Sequence, residues 1–357
     1  MLTKRPVTLV GGGLAGLALG AALARAGADV TLCEAGKLPR HRVCGEFLSG
    51  LRPGAIAKLG LAPRLRDAAV NRSTGWHAGG RLRYTAELPE PAYGLSRLAL
   101  ETRLIEDFTK AGGILKENTR VQEDAPGQVW TAGRRPDAAS PWLGLKIHCR
   151  NLAVGQDLEI HLGRGGYAGT ARIEGGCVNI CGLFHVRAGL RAPRETMLVE
   201  YLTACGLGGL AERITAADPD AASATAVSGL DFSRTWRDDA RLSLGDHYAP
   251  IPPYTGHGMA MALENAAIAL EPVLAYARGQ TEWAEVVRTV RQTMMERQRT
   301  RLRWARWLHP FMLNPAGKTA LLALADTRLL PFRWLYRATH GMETPPLRPQ
   351  PKEMGCN

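Results

Sequence analysis

Gly11, Gly13 and Gly16 stand between two unlike stretches of the chain. Before them runs Val7-Thr8-Leu9-Val10, a β-branched segment; after them comes Leu17 to Ala26, rich in Ala and Leu and closed by Gly27. Glycines at this spacing can hold a phosphate. Gly11 permits a tight turn, and Gly13 lets the backbone approach a pyrophosphate. Gly16, beside the small Ala15, lets a helix pack close on a strand. The helix start adds free N–H groups and a partial positive charge. A second strand, Asp29 to Cys33, ends in Glu34-Ala35. Glu34 follows Gly16 by 18 residues, where a carboxylate accepts hydrogen bonds from a ribose diol. An acid here favours an unphosphorylated ribose, as in FAD or NAD.

Other reactive groups are few. Cys44 and Glu46 flank Gly45 in a basic, turn-rich stretch over 36–70. Cys44 is a candidate reactive thiol; its bland alternative is a small buried residue. Glu46 is a candidate acid or base; its bland alternative is a structural hydrogen-bond partner. No Ser-His-Asp arrangement and no Cys–His cluster of zinc spacing competes, so no metal is expected. The seven cysteines are odd in number in a chain of 357 residues. That argues for reduced thiols and a cytoplasmic setting over a disulfide framework.

The elements that must position these groups follow from pattern. Pro6 to Ala24 carries no charge and passes for a signal peptide or a marginal membrane span. Its division into strand, glycine turn and helix argues for a βαβ unit instead. Residues 71–95 read as strands around a Gly79-Gly80 turn, and Ser96 caps a helix reaching about Ala111. Ile114 to Val121 and Val129 to Gly133 read as short strands. Trp142 to Phe184 alternates like an antiparallel sheet. Residues 193–212 read as helical and 214–228 as a surface loop. Trp76, Trp142 and Tyr167 are candidates to line an apolar pocket. The substrate-side sequence offers no charged recognition cluster.

Gly245-Asp246 then leads through Pro250, Pro252 and Pro253 to Gly256-His257-Gly258-Met259 and an Ala-rich helix ending near Ala277. This stretch resembles the second FAD signature of the para-hydroxybenzoate hydroxylase and geranylgeranyl reductase superfamily. The resemblance implies that Gly245 and Asp246 hold the ribityl chain and that Pro253 lines the flavin ring. It implies that Gly256, Gly258 and Met259 form the helix start aimed at the flavin N1–C2=O edge. Reduced flavin carries negative charge there, which a helix N-terminus stabilises. It further implies that Arg42 and Cys44 lie beside the flavin and that Arg97 touches FAD. Val121 would meet the adenine through its main chain, and Gly133 would follow the central strand.

The implied fold is α/β: a Rossmann-type, glutathione-reductase-like FAD-binding domain, an antiparallel-sheet substrate domain and a C-terminal helical region. The FAD-binding part is expected at 1–75, 96–140 and 240–278. The substrate part is expected at 76–95 and 141–239, and a basic helical region at 281–345. The implied activity is an FAD-dependent oxidoreductase, of monooxygenase or reductase type, acting on an apolar or aromatic small molecule of polyketide, terpene or lipid kind. NAD(P)H is the candidate external reductant. The hydroxylases' Asp-Gly pair is replaced here by Thr131-Ala132-Gly133-Arg134. The halogenases' Trp-x-Trp-x-Ile-Pro motif is absent, and of the prenyl reductases' Tyr-x-Trp-x-Phe-Pro motif only Tyr167 remains. The alternative is a non-catalytic flavin-binding or membrane-surface partner protein.

The chain carries a formal charge of +12. Residues 281–340 hold 11 Lys+Arg against 4 Asp+Glu, a net of +7. No zinc finger, RNA-binding aromatic motif or basic zipper accompanies that charge, so nucleic acid is not expected as a partner. Within 288–308, Arg297, Arg299, Arg301, Arg303 and Arg306 alternate with Leu302, Trp304, Trp307 and Leu308. Two readings stay open: a helix packed on the substrate domain with its Arg solvated, or peripheral contact with anionic lipid.

Overall fold

The computed structural model describes residues 4–232 and 240–340. Residues 1–3, 233–239 and 341–345 of the expected domain ranges lie outside them. The chain begins with β1 (Val7–Val10), α1 (Leu14–Arg25) and β2 (Val30–Cys33), then β3 (Phe47–Leu48) and α2 (Pro53–Leu59). A long hairpin, β4 (Ala69–Ala78) and β5 (Arg81–Gly94), leads to α3 (Arg97–Lys110). β6 (Ile114–Lys116) and β7 (Gln128–Trp130) return to the first layer. Next come β8 (Trp142–Arg150), β9 (Leu158–Gly163), β10 (Gly166–Arg172) and β11 (Val178–His185). α4 (Met197–Ala204), α5 (Gly208–Ala216), β12 (Asp218–Ser228) and β13 (Leu242–Ser243) follow. α6 (Gly258–Ala277), α7 (Trp283–Leu313), α8 (Pro315–Asp326) and α9 (Phe332–His340) complete the described chain.

Five strands form one parallel sheet in the order β13-β7-β1-β2-β6. Leu14 to Ala24 on α1 are all buried, because α1 lies between this sheet and the layer of α3 and α6. That explains the uncharged N-terminal run: it is a core helix. Eight strands form the second sheet, β12-β8-β11-β10-β9-β4-β5-β3. It is antiparallel except where β4 runs parallel to β9, so the sheet is mixed. β3 pairs with β5 and β4 starts at Ala69. Residues 47–48 and 69–75 therefore sit in the second sheet, inside the range expected for the FAD-binding part.

Three local expectations are corrected. Residues 218–228 are an edge strand paired with β8, not a loop, with a bulge between Asp220 and Thr225. An edge strand is half solvated, tolerates Pro219 and needs no apolar run, so its Ala/Asp/Ser composition disguised it. The strand expected over 114–121 ends at Lys116. Asn118 takes a φ of 51°, and the chain turns to run beside Glu34, with Thr119 N donating to Glu34 O at 2.8 Å. The helix expected over 193–212 is two helices, split where Gly206 adopts a φ of 77°.

Arg301 is also corrected. It neither faces water nor lipid. It is fully buried, with Nη1 donating to Glu264 Oε2 at 3.0 Å and Nη2 to His340 O at 2.7 Å. These bonds tie α7 to α6 and to the end of α9. His340 Nε2 pairs with Ser49 Oγ at 2.9 Å, and its ring stacks on Tyr336. Tyr254 donates its hydroxyl to Ala305 O at 2.6 Å and stacks on His309. The C-terminal helices are thus bolted over residues 49 and 254–257 by buried aromatic and imidazole contacts.

Those imidazoles set a pH limit. Burial pushes His340 down to about 3 and His309 down to about 4. Both are neutral when folded, and an unfolded His titrates near 6.5. Below that pH the unfolded chain binds more protons than the native one, so stability falls as pH falls. Urea denaturation at stepped pH should show loss beginning below about 6.5, at roughly 1.4 kcal/mol per pH unit per histidine at most. The His340→Asn variant should flatten that slope.

Candidate functional site

The glycine turn after β1 is built as its residue types demand. Gly11 has a φ of 109°, and a Cβ there would lie 2.5 Å from Ala132 Cα. A Cβ on Gly16 would overlap Gly11 O and lie 2.5 Å from Thr131 Oγ1. Gly13 differs, because a Cβ would meet nothing closer than Thr131 O at 3.5 Å. Its backbone is open to an incoming group. α1 has no side-chain cap and no acid in its first turn, so its N–H groups stay available. Glu34 Oε2 accepts from Gly12 N at 2.7 Å, and Oε1 accepts from Gly36 N and Arg40 Nη2, each at 3.2 Å. The carboxylate is held at the turn. Ala35 is exposed and Val121 half-buried, close to where the 118–119 backbone runs alongside.

The second signature lies against the first. Gly245 has a φ of 60°, and a Cβ on it would meet Ala15 Cβ at 3.7 Å. Its N–H donates to Asn265 Oδ1 at 2.9 Å. Asp246 keeps a half-exposed carboxylate, with Arg134 Nη2 at 3.7 Å. Gly133 takes a φ of 76° at the end of β7, next to the glycine turn. Gly258 opens α6 with no side-chain cap, and Met259 is buried in the core. Arg97 Nη2 lies 3.7 Å from where a Gly13 Cβ would be and Arg97 Nε donates to Glu101 Oε1 at 2.6 Å. Arg42 Nε stands 3.5 Å from the same oxygen, and Glu101 Oε2 is buried with no partner. The residues fit FAD: an uncapped start of α1, an open backbone at Gly13 with Arg97 3.7 Å away, an anchored Glu34, Gly245 against Ala15, and an under-satisfied Arg42 beside Arg97's partner Glu101.

Beside Cys44 and the Pro253–Gly256 turn is a cavity of about 200 Å³, open at its mouth. Cys44, Pro253 and Gly256 line one side. The second sheet supplies the opposite wall through Trp76, Ile160, Tyr167, Cys181 and Leu183. α7, α8 and α9 close it with Phe311, Met312, Leu321 and Leu335. Arg134 is the only Lys, Arg, Asp or Glu among its described lining. Thr74 Oγ1 and Trp76 Nε1 are buried along it without hydrogen-bond partners. Trp76 and Tyr167 take the lining role expected of them. Trp142 does not, and packs its ring on His185. Burial pushes the Cys44 thiol up and the Cys181 thiol up to about 12, so both face the cavity as neutral thiols.

Glu46 lies elsewhere. It is fully buried and is not among the cavity-lining residues. Oε1 accepts from Lys146 Nζ at 2.5 Å and from Arg97 N at 2.9 Å, while Oε2 pairs with His148 Nε2 at 2.6 Å. Burial alone would raise its pKa, but His148 and Lys146 together hold it below the usual carboxylate value. An ionised carboxylate with both oxygens engaged is an anchor, not a proton donor to a ligand. Sequence reasoning missed Lys146 and His148, and with them a buried charged cluster on the substrate side. The signal was present. Gly144, Lys146 and His148 alternate with Leu145, Ile147 and Cys149, which puts the polar pair on one face of β8.

One further polar cluster lies outside the cavity lining. His77, Glu159 and His161 have metal-ligand spacing. Glu159 Oε2, however, already pairs with His161 Nε2 and accepts from Arg213 Nη2, each at 3.0 Å. With Gly155 N on the other oxygen, these partners bring Glu159 to about 2 against the opposing effect of burial. A guanidinium fills the place a cation would take.

Residues 4–139 match the family described as FAD binding domain. A menaquinone reductase of Mycolicibacterium smegmatis is 30% identical over 175 residues, covering 46% of this chain and 40% of the relative. A menaquinone reductase of Mycobacterium tuberculosis is 32% identical over 168 residues, covering 44% of this chain and 39% of the relative. The match spans about two-fifths of these relatives' length. The structure of Klebsiella pneumoniae HpxO complexed with FAD and uric acid superposes with a TM-score of 0.72 at 16% identity, covering 96% of this chain and 98% of that one. The p-nitrophenol 4-monooxygenase PnpA of Pseudomonas putida gives a TM-score of 0.72 at 16% identity, covering 95% and 97%. These two show a shared fold. An FAD-binding domain over residues 4–139, carried on this two-sheet fold, is what the chain shares with these flavoproteins.

Proposed function

We propose that the protein is an FAD-dependent oxidoreductase that acts on a neutral, apolar molecule bearing ring oxygens, of the quinone kind. The observation that carries this is the cavity: aliphatic and aromatic walls with a single charged side chain, Arg134. A carboxylate or urate-like anion finds only Arg134. The relatives named menaquinone reductases support reduction over oxygenation.

FAD supplies the two-electron redox chemistry when bound. Gly11, Gly13, Ala15 and Gly16 would receive its pyrophosphate, and Glu34 and Val121 its adenosine end. Asp246 would receive the ribityl chain, and the start of α6 the flavin edge. Cys44 and Pro253 would face the ring from the cavity. The C-terminal helices exclude water from the ligand. NADH or NADPH would be the external reductant.

The test is direct. FAD-loaded protein is reduced without oxygen and mixed with a short-chain naphthoquinone, and reoxidation and hydroquinone are measured. Saturable reoxidation with equimolar hydroquinone is expected. Gly169→Phe places bulk in the cavity, where a Cβ has no neighbour closer than 3.7 Å. It should raise the half-saturating quinone at least about tenfold, roughly 1.4 kcal/mol, with FAD content unchanged. Reoxidation independent of quinone, or an oxygenated product formed only in air, would overturn the reductase reading.

A further inference from the structure

We propose that the outer face of α7's second half, together with the adjoining side of α9, docks on an anionic lipid surface, and that the apolar ligand enters the cavity there, past Phe311. Four rings make a continuous chain across this face. Trp334 meets Trp304 at 4.9 Å between centroids, Trp304 meets Trp307 at 5.5 Å, and Trp307 meets Phe311 at 5.2 Å. Trp307 is 58% exposed and Phe311 36%. Exposed contiguous aromatics are unusual on a protein that meets only water.

Cations flank the rings. Arg299 and Arg303 precede Trp307 by eight and four residues on the same helical stripe, and both are exposed. Arg333, next to Trp334, is exposed as well. Guanidinium groups with aromatic rings match the phosphates and the acyl boundary of an anionic bilayer. The helix cannot roll to hide this face. Its opposite side is fixed in the core through Met294, Leu302 and Ala305 and through the Arg301–Glu264 pair. Among the described residues, one helix, α6, is long and apolar enough to cross a membrane, and it is mostly buried in the core. The contact is therefore peripheral.

Phe311 joins this face to the cavity, since it lines the cavity and is exposed. Leu308, Met312 and Leu321 continue the apolar path inward. An apolar ligand can leave the bilayer without crossing water. This entry route rests on the proposed function; the docking does not.

The experiment is flotation of the FAD-loaded full chain with vesicles of phosphatidylcholine alone and of phosphatidylcholine mixed with phosphatidylglycerol. Binding to the mixed vesicles, weakened by high salt, is expected. Trp307→Glu and Arg303→Glu should each lower vesicle affinity at least about tenfold. Both side chains point outward, so FAD content and thermal unfolding should be unchanged, which keeps the variants interpretable. Absence of flotation with anionic vesicles, or flotation unchanged in both variants, overturns the proposal. So does a concentration-dependent dimer that Trp307→Glu abolishes, or a duplex DNA affinity exceeding that for vesicles. Vesicle binding needs no turnover, so a failure of the quinone reading leaves this result standing.

Discussion

Glu46→Gln is expected to cost about 3–5 kcal/mol of folding stability, the range for breaking a buried ion pair by removing one partner. The substitution keeps size and shape but leaves Lys146 and His148 buried without their anion. Lys146 and Glu46 are both fully buried, and the Nζ–Oε1 distance is 2.5 Å. Urea denaturation gives the value directly, and a loss below about 1 kcal/mol would contradict this account. Replacing Glu46, Lys146 and His148 together by apolar residues of similar volume should recover most of it. The sign with pH follows from the depressed carboxyl. Its contribution is present above the unfolded carboxylate value and disappears as pH falls through the lower folded one. Because Glu46 Oε1 also accepts Arg97 N, the substitution should loosen the start of α3 and lower FAD retention.

Gly16→Val should abolish FAD retention, with at least about a 100-fold rise in the dissociation constant, roughly 2.7 kcal/mol. The Cβ alone would overlap Gly11 O and press on Thr131 Oγ1, and the γ-methyl groups add more bulk. The helix must move away from β1, and the phosphate-facing amides move with it. Gly54→Ala is the matched control. It lies in α2, has open space around it and no positive φ, so it should leave FAD binding intact. It should raise stability by about 0.5–1 kcal/mol. Fluorescence titration of FAD distinguishes the two. Retained tight binding in Gly16→Val would remove the glycine turn from the cofactor site.

The parts of the fold legible from sequence are those where one residue type has few alternatives. The glycine turn, Glu34, the Gly245-Asp246 turn and the Gly256–Met259 helix start all require particular backbone freedom or charge. Ser96 behaves the same way, its Oγ accepting from Ala99 N at 3.1 Å. What stayed hidden depends on tertiary partners. Whether Glu46 is an acid or a structural hydrogen-bond partner stayed open because Lys146 and His148 lie 100 and 102 residues away. Arg301 looked solvated because Glu264 and His340 are distant in sequence. The edge strand β12 lacks any apolar signature because one of its sides needs none. The basic excess of the C-terminal region was legible, but its division into a buried Arg301 and an outward Arg303 was not.

The most direct test of the central claim is a ligand titration of the purified, FAD-loaded full chain, following the flavin's visible absorption as naphthoquinone is added. About one FAD per chain and a saturable absorption shift with quinone are expected. Gly169→Phe should lose the shift while keeping the FAD. A chain that takes up no FAD, or one whose flavin spectrum ignores the quinone yet responds to a charged aromatic acid, would contradict that claim.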